Sequence, residues 1–314
     1  MQLMVKLTAY LVVFGAVAYG AWDLFNDWDL FNDKAESQGC VLSIDVGGKN
    51  FDSDDGFSAT ASDIGGTIVL FVNDNPMSIF NRSGMMLGLD GYIKNGINTI
   101  EVRGTNKETL FLKIGMHTIK GDEGYYRSIG RFKKETSSDP SSSNKSEFKY
   151  DCDIDYKIFQ ADEIASKDEE AIKVQLREII KDLHRSFAER DRQSFDKYYS
   201  DTYELWEKDS DSEFRKQMDG FLDVFLRDAR EIDPLPLDEI QFVFGKTSVL
   251  AYRVFPAPKE SDFQPNTVPI GMFKYTMEYP DSSLGSFKDV YSAISSPIVF
   301  VCFDGQWRLW SNAF

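Results

Sequence analysis

Histidine, the side chain whose ordinary pKa best suits proton exchange at neutral pH, is scarce in this chain of 314 residues, which has two, His117 and His184. Histidine exchanges protons near neutral pH and is the commonest metal ligand. Two histidines exclude a histidine-rich metal site, and we expect no metal. His184 lies beside the apolar stripe of a predicted helix and is the best acid–base candidate. A histidine at such a boundary is more often structural, so both interpretations stay open.

A second group of candidates could line a ligand pocket. Aromatic rings stack on flat ligands or sugars, but clusters of them also complete cores. An arginine among the apolar residues of a strand could hold an anion, or pair with one of the many carboxylates. An aromatic face of a strand is core or pocket wall. These pocket candidates are Tyr198, Tyr199, Tyr203, Trp206, Arg253 and Tyr275.

The three cysteines are too few for a disulfide scaffold. Cys302 lies in an apolar run and is expected to be a buried small hydrophobe. If a pair forms in an oxidising compartment, Cys40–Cys152 is the candidate disulfide, because both residues flank the first predicted domain.

The net charge of −16 at pH 7 limits the partners. An acidic surface repels nucleic-acid phosphates and anionic lipid headgroups, so we expect no nucleic acid to bind. The sequence shows no nucleophile motif, metal-ligand cluster or phosphate-binding loop, so we expect no cofactor. Composition identifies neither a small-molecule partner nor a protein partner.

The amino-terminal residues predict export. Lys6 precedes an uncharged run, residues 7–22, and the small residues Ala18 and Gly20 suit a signal peptidase. The run is also near the shortest length that spans a membrane, about 17 residues. A cleaved signal peptide and a retained anchor therefore both fit residues 1–22. Either would place the chain in the periplasm or on the outer side of the cytoplasmic membrane.

The rest of the chain divides into predicted segments. Residues 23–39 are predicted to form an acidic stalk. A tandem duplication overlaps its start, since the sequence of Trp22–Asp27 is repeated in Trp28–Asp33. Residues 40–136 read as alternating strands and turns, which predicts an antiparallel β-sandwich. Residues 137–162 begin with a serine-rich stretch and are predicted to be a linker. Residues 163–314 form the second predicted domain.

In the second domain helices come first and strands follow, which predicts an α+β fold. A helical stripe contains Ile172, Leu176, Ile179, Ile180, Leu183 and Phe187. The closing strand pair ends in Trp307 and Trp310, of which we assign Trp307 to the core.

Together with the polar break that leads into Phe195, these residues resemble the ketosteroid-isomerase-like and nuclear-transport-factor-like cone fold. The resemblance implies helices packed in a curved antiparallel sheet, around a pocket lined by the first helix. The first domain resembles accessory jelly-roll-like β-sandwich modules of exported proteins. The residues that carry this likeness are Gly91–Arg103, a hairpin signature that identifies no ligand.

The function expected from these features is an exported, envelope-associated protein with a binding or assembly role rather than catalysis. One alternative is a cone-fold isomerase or dehydratase acting on a small apolar substrate. Another is a carbohydrate-binding surface protein. A homodimer through the C-terminal sheet is also expected, because the sheet is rich in aromatic residues. These are Phe242, Phe244, Phe273, Tyr275, Phe300 and Trp310.

Overall fold

The computed structural model describes residues 41–47, 63–89, 91–120, 123–155, 160–194, 197–198, 229–256, 269–278 and 290–310. The predicted signal or anchor and the stalk lie outside these ranges. Within them, no helix has both the length and the apolar character needed to cross a membrane.

The first half of the chain forms two antiparallel sheets of four strands each. Counted along the chain, the strands lie in the order fourth, first, sixth, seventh in one sheet and third, second, fifth, eighth in the other. Alternate apolar residues of both sheets, among them Ile44, Leu70, Ile100 and Leu112, share one hydrophobic core. This arrangement is compatible with the predicted β-sandwich. The strands are β1 Val41–Gly47, β2 Asp63–Val72, β3 Asn75–Arg82, β4 Met85–Gly88, β5 Lys94–Gly104, β6 Leu110–Lys120, β7 Glu123–Lys134 and β8 Ser143–Asp155.

Strand β8 falls within residues 137–162, the predicted linker. It pairs with β5 from Arg103↔Ser143 to Lys94↔Asp155. Lys134, which is fully buried, stabilises the loop that precedes β8. Its Nζ donates to the carbonyl and hydroxyl oxygens of Ser142 at 3.2 and 3.1 Å. Burial lowers the pKa of Lys134, because desolvation disfavours its charged form. The division into separate domains stays a prediction.

The second half contains one long helix within the described ranges, α1 Glu169–Glu189, followed by strands. The predicted apolar stripe is confirmed, since Ile172, Leu176, Ile180, Leu183 and Phe187 are buried. Ile179 is half-buried and packs against the same cluster. The strands are β9 Ala229–Ile232, β10 Gln241–Phe244, β11 Ser248–Val254, β12 Ile270–Gly271, β13 Lys274–Glu278, β14 Val290–Ile294, β15 Ile298–Phe303 and β16 Gln306–Leu309.

The sheet β10-β11-β15-β16 is buried on both faces. On one face Val249, Ala251 and Phe300 pack in the same cluster as the buried stripe of α1. On the other face Leu250 and Val299 pack in the core of the first half. Consecutive residues of β11 and β15 are therefore buried, as expected for strands between two layers.

The predicted α+β fold with a cone is wrong. The described chain is mostly β, with several antiparallel sheets, and is not a set of helices held in one curved sheet. A cone sheet leaves its second face to solvent or to another copy of the chain, whereas this one meets the strands of the first half. Tyr92 and Trp310 join the layers with an edge-to-face contact at 6.3 Å between ring centroids.

The two tryptophans of the last strand pair lie on opposite faces, but their assignment is reversed. Trp310 is fully buried in the core of the first half, and its backbone N–H donates to Val299 O at 2.7 Å. Trp307 is half-buried on the helix side, where its Nε1 donates to Gln175 Oε1 at 3.0 Å. The prediction that Trp307 is the core residue is therefore wrong.

Candidate functional site

His184, the acid–base candidate, serves a structural hydrogen bond. Its Nε2 lies 2.8 Å from the backbone oxygen of Asp233, which can only accept, so Nε2 carries the proton. The imidazole also lies against the ring of Phe273, with centroids 5.6 Å apart. The ring is half-buried and connects α1 to the residues that follow β9. His117 lies in β6, in register with Val41.

Of the candidate cluster Tyr198, Tyr199, Tyr203 and Trp206, Tyr198 lies within the described residues. Its hydroxyl donates to Asp182 Oδ2 at 3.1 Å. Partial burial, together with the nearby carboxylate, raises the pKa of Tyr198 to about 12. Tyr199, Tyr203 and Trp206 lie outside the described ranges.

Arg253, in β11, and Tyr275, in β13, are both buried. The Arg253 guanidinium donates to Glu239 Oε2 at 2.8 Å and lies over the Phe255 ring, 4.7 Å from its centroid. Of the two interpretations of Arg253, the structure shows the pairing with a carboxylate. Tyr275 contacts the ring of Phe187 edge to face at 5.5 Å, as a core residue does.

Cys302 is a free, buried thiol, as expected. Burial and the neighbouring Asp162 carboxylate raise its pKa to about 11, so the reactive thiolate is disfavoured. Cys152 lies in β8 and Cys40 lies outside the described residues, so the Cys40–Cys152 disulfide stays a prediction.

The structure brings together a different group of residues, in a polar cleft of about 300 Å³ where the two halves of the chain meet. We call it the joint cleft. The first half contributes the β2–β3 turn and the start of β5, and the second half contributes the β10–β11 turn. Its lining residues are Asn73, Asp74, Asn75, Lys94, Ile97, Thr99, Lys246 and Thr247.

The first wall is the β2–β3 turn. Asn73 and Asp74 have φ of 52° and 64°, the left-handed conformation that two-residue hairpin turns require and that asparagine and aspartate tolerate. The Asn73 amide nitrogen donates to Tyr92 O at 2.8 Å and to Asn98 Oδ1 at 2.7 Å, and its oxygen accepts from Thr99 N at 3.1 Å. The turn is therefore fixed against β5.

The floor is the start of β5, shaped by the buried side chain of Asn98. Its Oδ1 accepts from Lys94 N at 2.9 Å, and its Nδ2 donates to Lys94 O at 2.7 Å and Gly96 O at 3.2 Å. Gly96 has a φ of +97° and the ladder is irregular here, a backbone course that suits glycine. These bonds hold Lys94 and Ile97 at the cleft.

The second wall is fastened by Asn75, whose side-chain oxygen accepts three hydrogen bonds. The donors are the Thr247 backbone N–H at 2.8 Å and the hydroxyls of Thr247 and Ser248, each at 3.2 Å. Lys246 N also donates to Asp74 O at 3.0 Å. At Gly245 a Cβ would lie 2.3 Å from Pro76 Cδ, so only glycine allows this approach.

Charges at the cleft are paired except at one lysine. Asp74 Oδ1 lies 2.7 Å from Lys145 Nζ, and Lys246 Nζ lies 2.8 Å from Glu163 Oε1. Each carboxylate raises the pKa of its lysine partner through this hydrogen bond. Lys94 is exposed and has no ion pair with the residues that the structure describes. Among the described residues, Lys94 is therefore the charged residue of the cleft that has no ion-pair partner.

Nothing in this arrangement resembles a metal centre, since the described ranges contain no group of three or more histidine, cysteine, aspartate or glutamate side chains that could hold an ion. What the cleft offers is recognition, through an ammonium group, a threonine hydroxyl and the exposed side chain of Ile97. Sequence reasoning missed these residues. The part of the sequence that could have indicated them is Ile93–Ile100, within the hairpin signature. In this segment Asn98 holds the backbone by hydrogen bonds, and Lys94 lines the cleft.

Comparison of the chain with models of protein families, with curated proteins and with solved structures finds no match in any of the three.

Proposed function

We propose that this chain is an exported, envelope-associated protein with a binding role rather than a catalytic one, and that the joint cleft is its binding site. The observation that carries the proposal is the polar cleft between the two halves, whose walls are held by side-chain hydrogen bonds of Asn73, Asn75 and Asn98. Its asparagines are occupied by internal hydrogen bonds, so its shape exists before a ligand arrives. Such preorganisation lowers the entropic cost of binding.

The apolar contact available at the cleft is aliphatic. The large hydrophobic side chains that the structure records as exposed in its described part are Ile97, Val174 and Val254, and Ile97 is 60% exposed. Carbohydrate binding, the alternative expected from the sequence, relies on stacking against a ring. Ile97 instead suits a short aliphatic group. The isomerase or dehydratase alternative was based on the cone fold, which the structure does not have, so we do not propose it.

Export is supported by the sequence, through Lys6 and the uncharged run at residues 7–22. Protease added to spheroplasts that express the full chain should degrade the part beyond residue 39, while a cytoplasmic marker survives. Full protection of the chain in intact spheroplasts, followed by degradation after lysis, would contradict export.

Binding at the cleft can be followed through the ¹³C-labelled δ1 methyl signal of Ile97, which is assigned by its loss in Ile97→Val. The probes are 3-hydroxybutyrate, 3-hydroxybutyramide, inorganic phosphate and maltose. At least one should shift this signal saturably, and Thr99→Trp, which places a ring in the cleft, should abolish the shift. Glu108→Trp, at an exposed position outside the cleft, is the control. If no probe moves the Ile97 signal, the cleft is not the binding site.

A further inference from the structure

The joint cleft also indicates the chemistry of its ligand, and this inference rests on the proposed function. We propose that the cleft takes a small monocarboxylate with a short aliphatic body, held by the ammonium group of Lys94. The argument begins with the charges that surround the cleft.

Three charged residues line the cleft, Asp74, Lys94 and Lys246. Asp74 pairs with Lys145 and Lys246 pairs with Glu163, whereas Lys94 has no ion pair with the residues that the structure describes. One positive charge is therefore left to neutralise one negative charge on a ligand. The protein as a whole carries −16 at pH 7, so a second negative charge on the ligand would be repelled without local compensation. This balance favours a monoanion over a phosphate dianion.

The remaining free groups define the rest of the ligand. Within the described residues the Thr99 hydroxyl makes no hydrogen bond, and Asp74 uses one of its two carboxylate oxygens for Lys145. Both groups can accept a hydrogen bond from a ligand hydroxyl. Ile97 provides an exposed aliphatic contact beside them. A hydroxy acid with a short hydrocarbon part meets all three features.

The position of Lys94 is fixed by its backbone and not by an ion pair. Asn98, which is fully buried, holds both the N–H and the carbonyl of Lys94. The backbone of Lys94 is thereby fixed at the cleft, and its side chain is exposed to solvent. A ligand carboxylate binds an unpaired ammonium group at a lower free-energy cost than a paired one, because no existing ion pair has to be broken.

The test compares 3-hydroxybutyrate with 3-hydroxybutyramide, which has nearly the same shape but no charge. Titrations of the full chain at neutral pH are followed through the Ile97 δ1 methyl signal. We expect the carboxylate to bind about two- to fivefold more tightly than the amide, the range for an ion pair with a solvent-exposed lysine. Lys94→Gln should remove this preference, and Lys94→Arg should keep most of it. Lys107→Gln, an exposed lysine outside the cleft, should leave it unchanged.

Equal affinity for the carboxylate and the amide would overturn the inference, and so would an unchanged preference in Lys94→Gln with its unfolding transition intact. Tighter binding of inorganic phosphate than of 3-hydroxybutyrate would overturn it as well. Binding of maltose or the amide without preference for charge would leave the cleft as a binding site but refute the carboxylate. Absence of any shift at Ile97 would refute both proposals.

Discussion

Asn75 and Thr247 are 172 residues apart in sequence, and the backbone N–H of Thr247 donates to Asn75 Oδ1 at 2.8 Å. Asn75 begins strand β3 and is 2% exposed. Thr247 ends the turn that precedes β11. This bond therefore joins the two halves of the chain, and it also forms one side of the joint cleft.

Replacing Asn75 with alanine should destabilise the protein, because three donors lose their common acceptor in a buried place. Leaving buried donors without partners costs about 1–3 kcal/mol each, and partial relaxation reduces the sum. We expect a loss of about 2–3 kcal/mol in the free energy of unfolding, measured with urea. Asn144→Ala, at an exposed position on β8, is the control and should change little. Equal stability of the two variants would show that the joint does not depend on Asn75.

The two tryptophans of the last strand pair should differ sharply when each is cut to alanine. Trp310 is fully buried between the halves, so Trp310→Ala should cost about 3–5 kcal/mol of unfolding free energy. Trp307 is half-buried and loses one hydrogen bond to Gln175, so Trp307→Ala should cost about half as much or less. A larger loss in Trp307→Ala than in Trp310→Ala would contradict the packing described here.

Glu101 should contribute stability that depends on pH. Its carboxylate accepts from Arg103 at 2.6 and 2.9 Å, and this bond holds the pKa of Glu101 below its usual value of 4.5. A group whose folded pKa is lowered stabilises the protein above its unfolded pKa, and this contribution is lost as the pH falls through the folded pKa.

Glu101→Gln should therefore be less stable than the unmodified chain by about 1–2 kcal/mol at pH 7, and the difference should shrink below about pH 4. Urea unfolding at a series of pH values measures it. The same series with Glu147→Gln, an exposed residue on β8, should show a much smaller difference. A difference for Glu101→Gln that does not change with pH would rule out the ion pair as its cause.

Tyr92, unlike Glu101, has a buried polar group that lowers stability. Its hydroxyl is buried and has no hydrogen-bond partner among the described residues, and this burial raises the pKa of Tyr92 far above its usual value. Tyr92→Phe removes an unsatisfied polar group and keeps the ring against Trp310, so unfolding free energy should stay equal or rise by about 1 kcal/mol. Tyr252→Phe, which loses a bond to Gln241 at 2.8 Å, should not gain stability. Clear destabilisation by Tyr92→Phe would mean that its hydroxyl is satisfied.

Elements with strong local patterns could be predicted from the sequence. The stripe from Ile172 to Phe187 is the buried face of α1 because a spacing of three and four residues places apolar side chains on one side of a helix. The apolar run at residues 67–72 lies in β2. Cys302 is buried because its neighbours in β15 are apolar.

The partner of each apolar face could not be predicted in this way. A strand such as β11, buried at Val249, Leu250 and Ala251 in succession, must be covered on both faces, but its sequence does not say by what. The prediction assigned one face to helices and the other to a second copy of the chain. The structure covers the second face with the first half, and the homodimer stays a prediction.

The joint cleft was missed for a similar reason. Residues 73–76 are typical of a turn, and the structure has a turn at Asn73 and Asp74. The hydrogen bonds from Thr247 and Ser248 to Asn75 depend on a contact between distant parts of the chain. No local pattern encodes such a contact, because asparagine at the end of a turn has the same propensity whether its side chain meets solvent or a buried threonine.

The central claim is that the two halves of the chain pack against each other and are held together by the hydrogen bonds to Asn75. Amide hydrogen exchange at Lys246 and Thr247 tests it most directly, because their N–H groups donate to Asp74 O and Asn75 Oδ1. In the full chain these amides should exchange about as slowly as those of the β11 ladder, and Asn75→Ala should accelerate them selectively. Fast exchange at both residues in the unmodified chain, with the β11 ladder still protected, would contradict the joint.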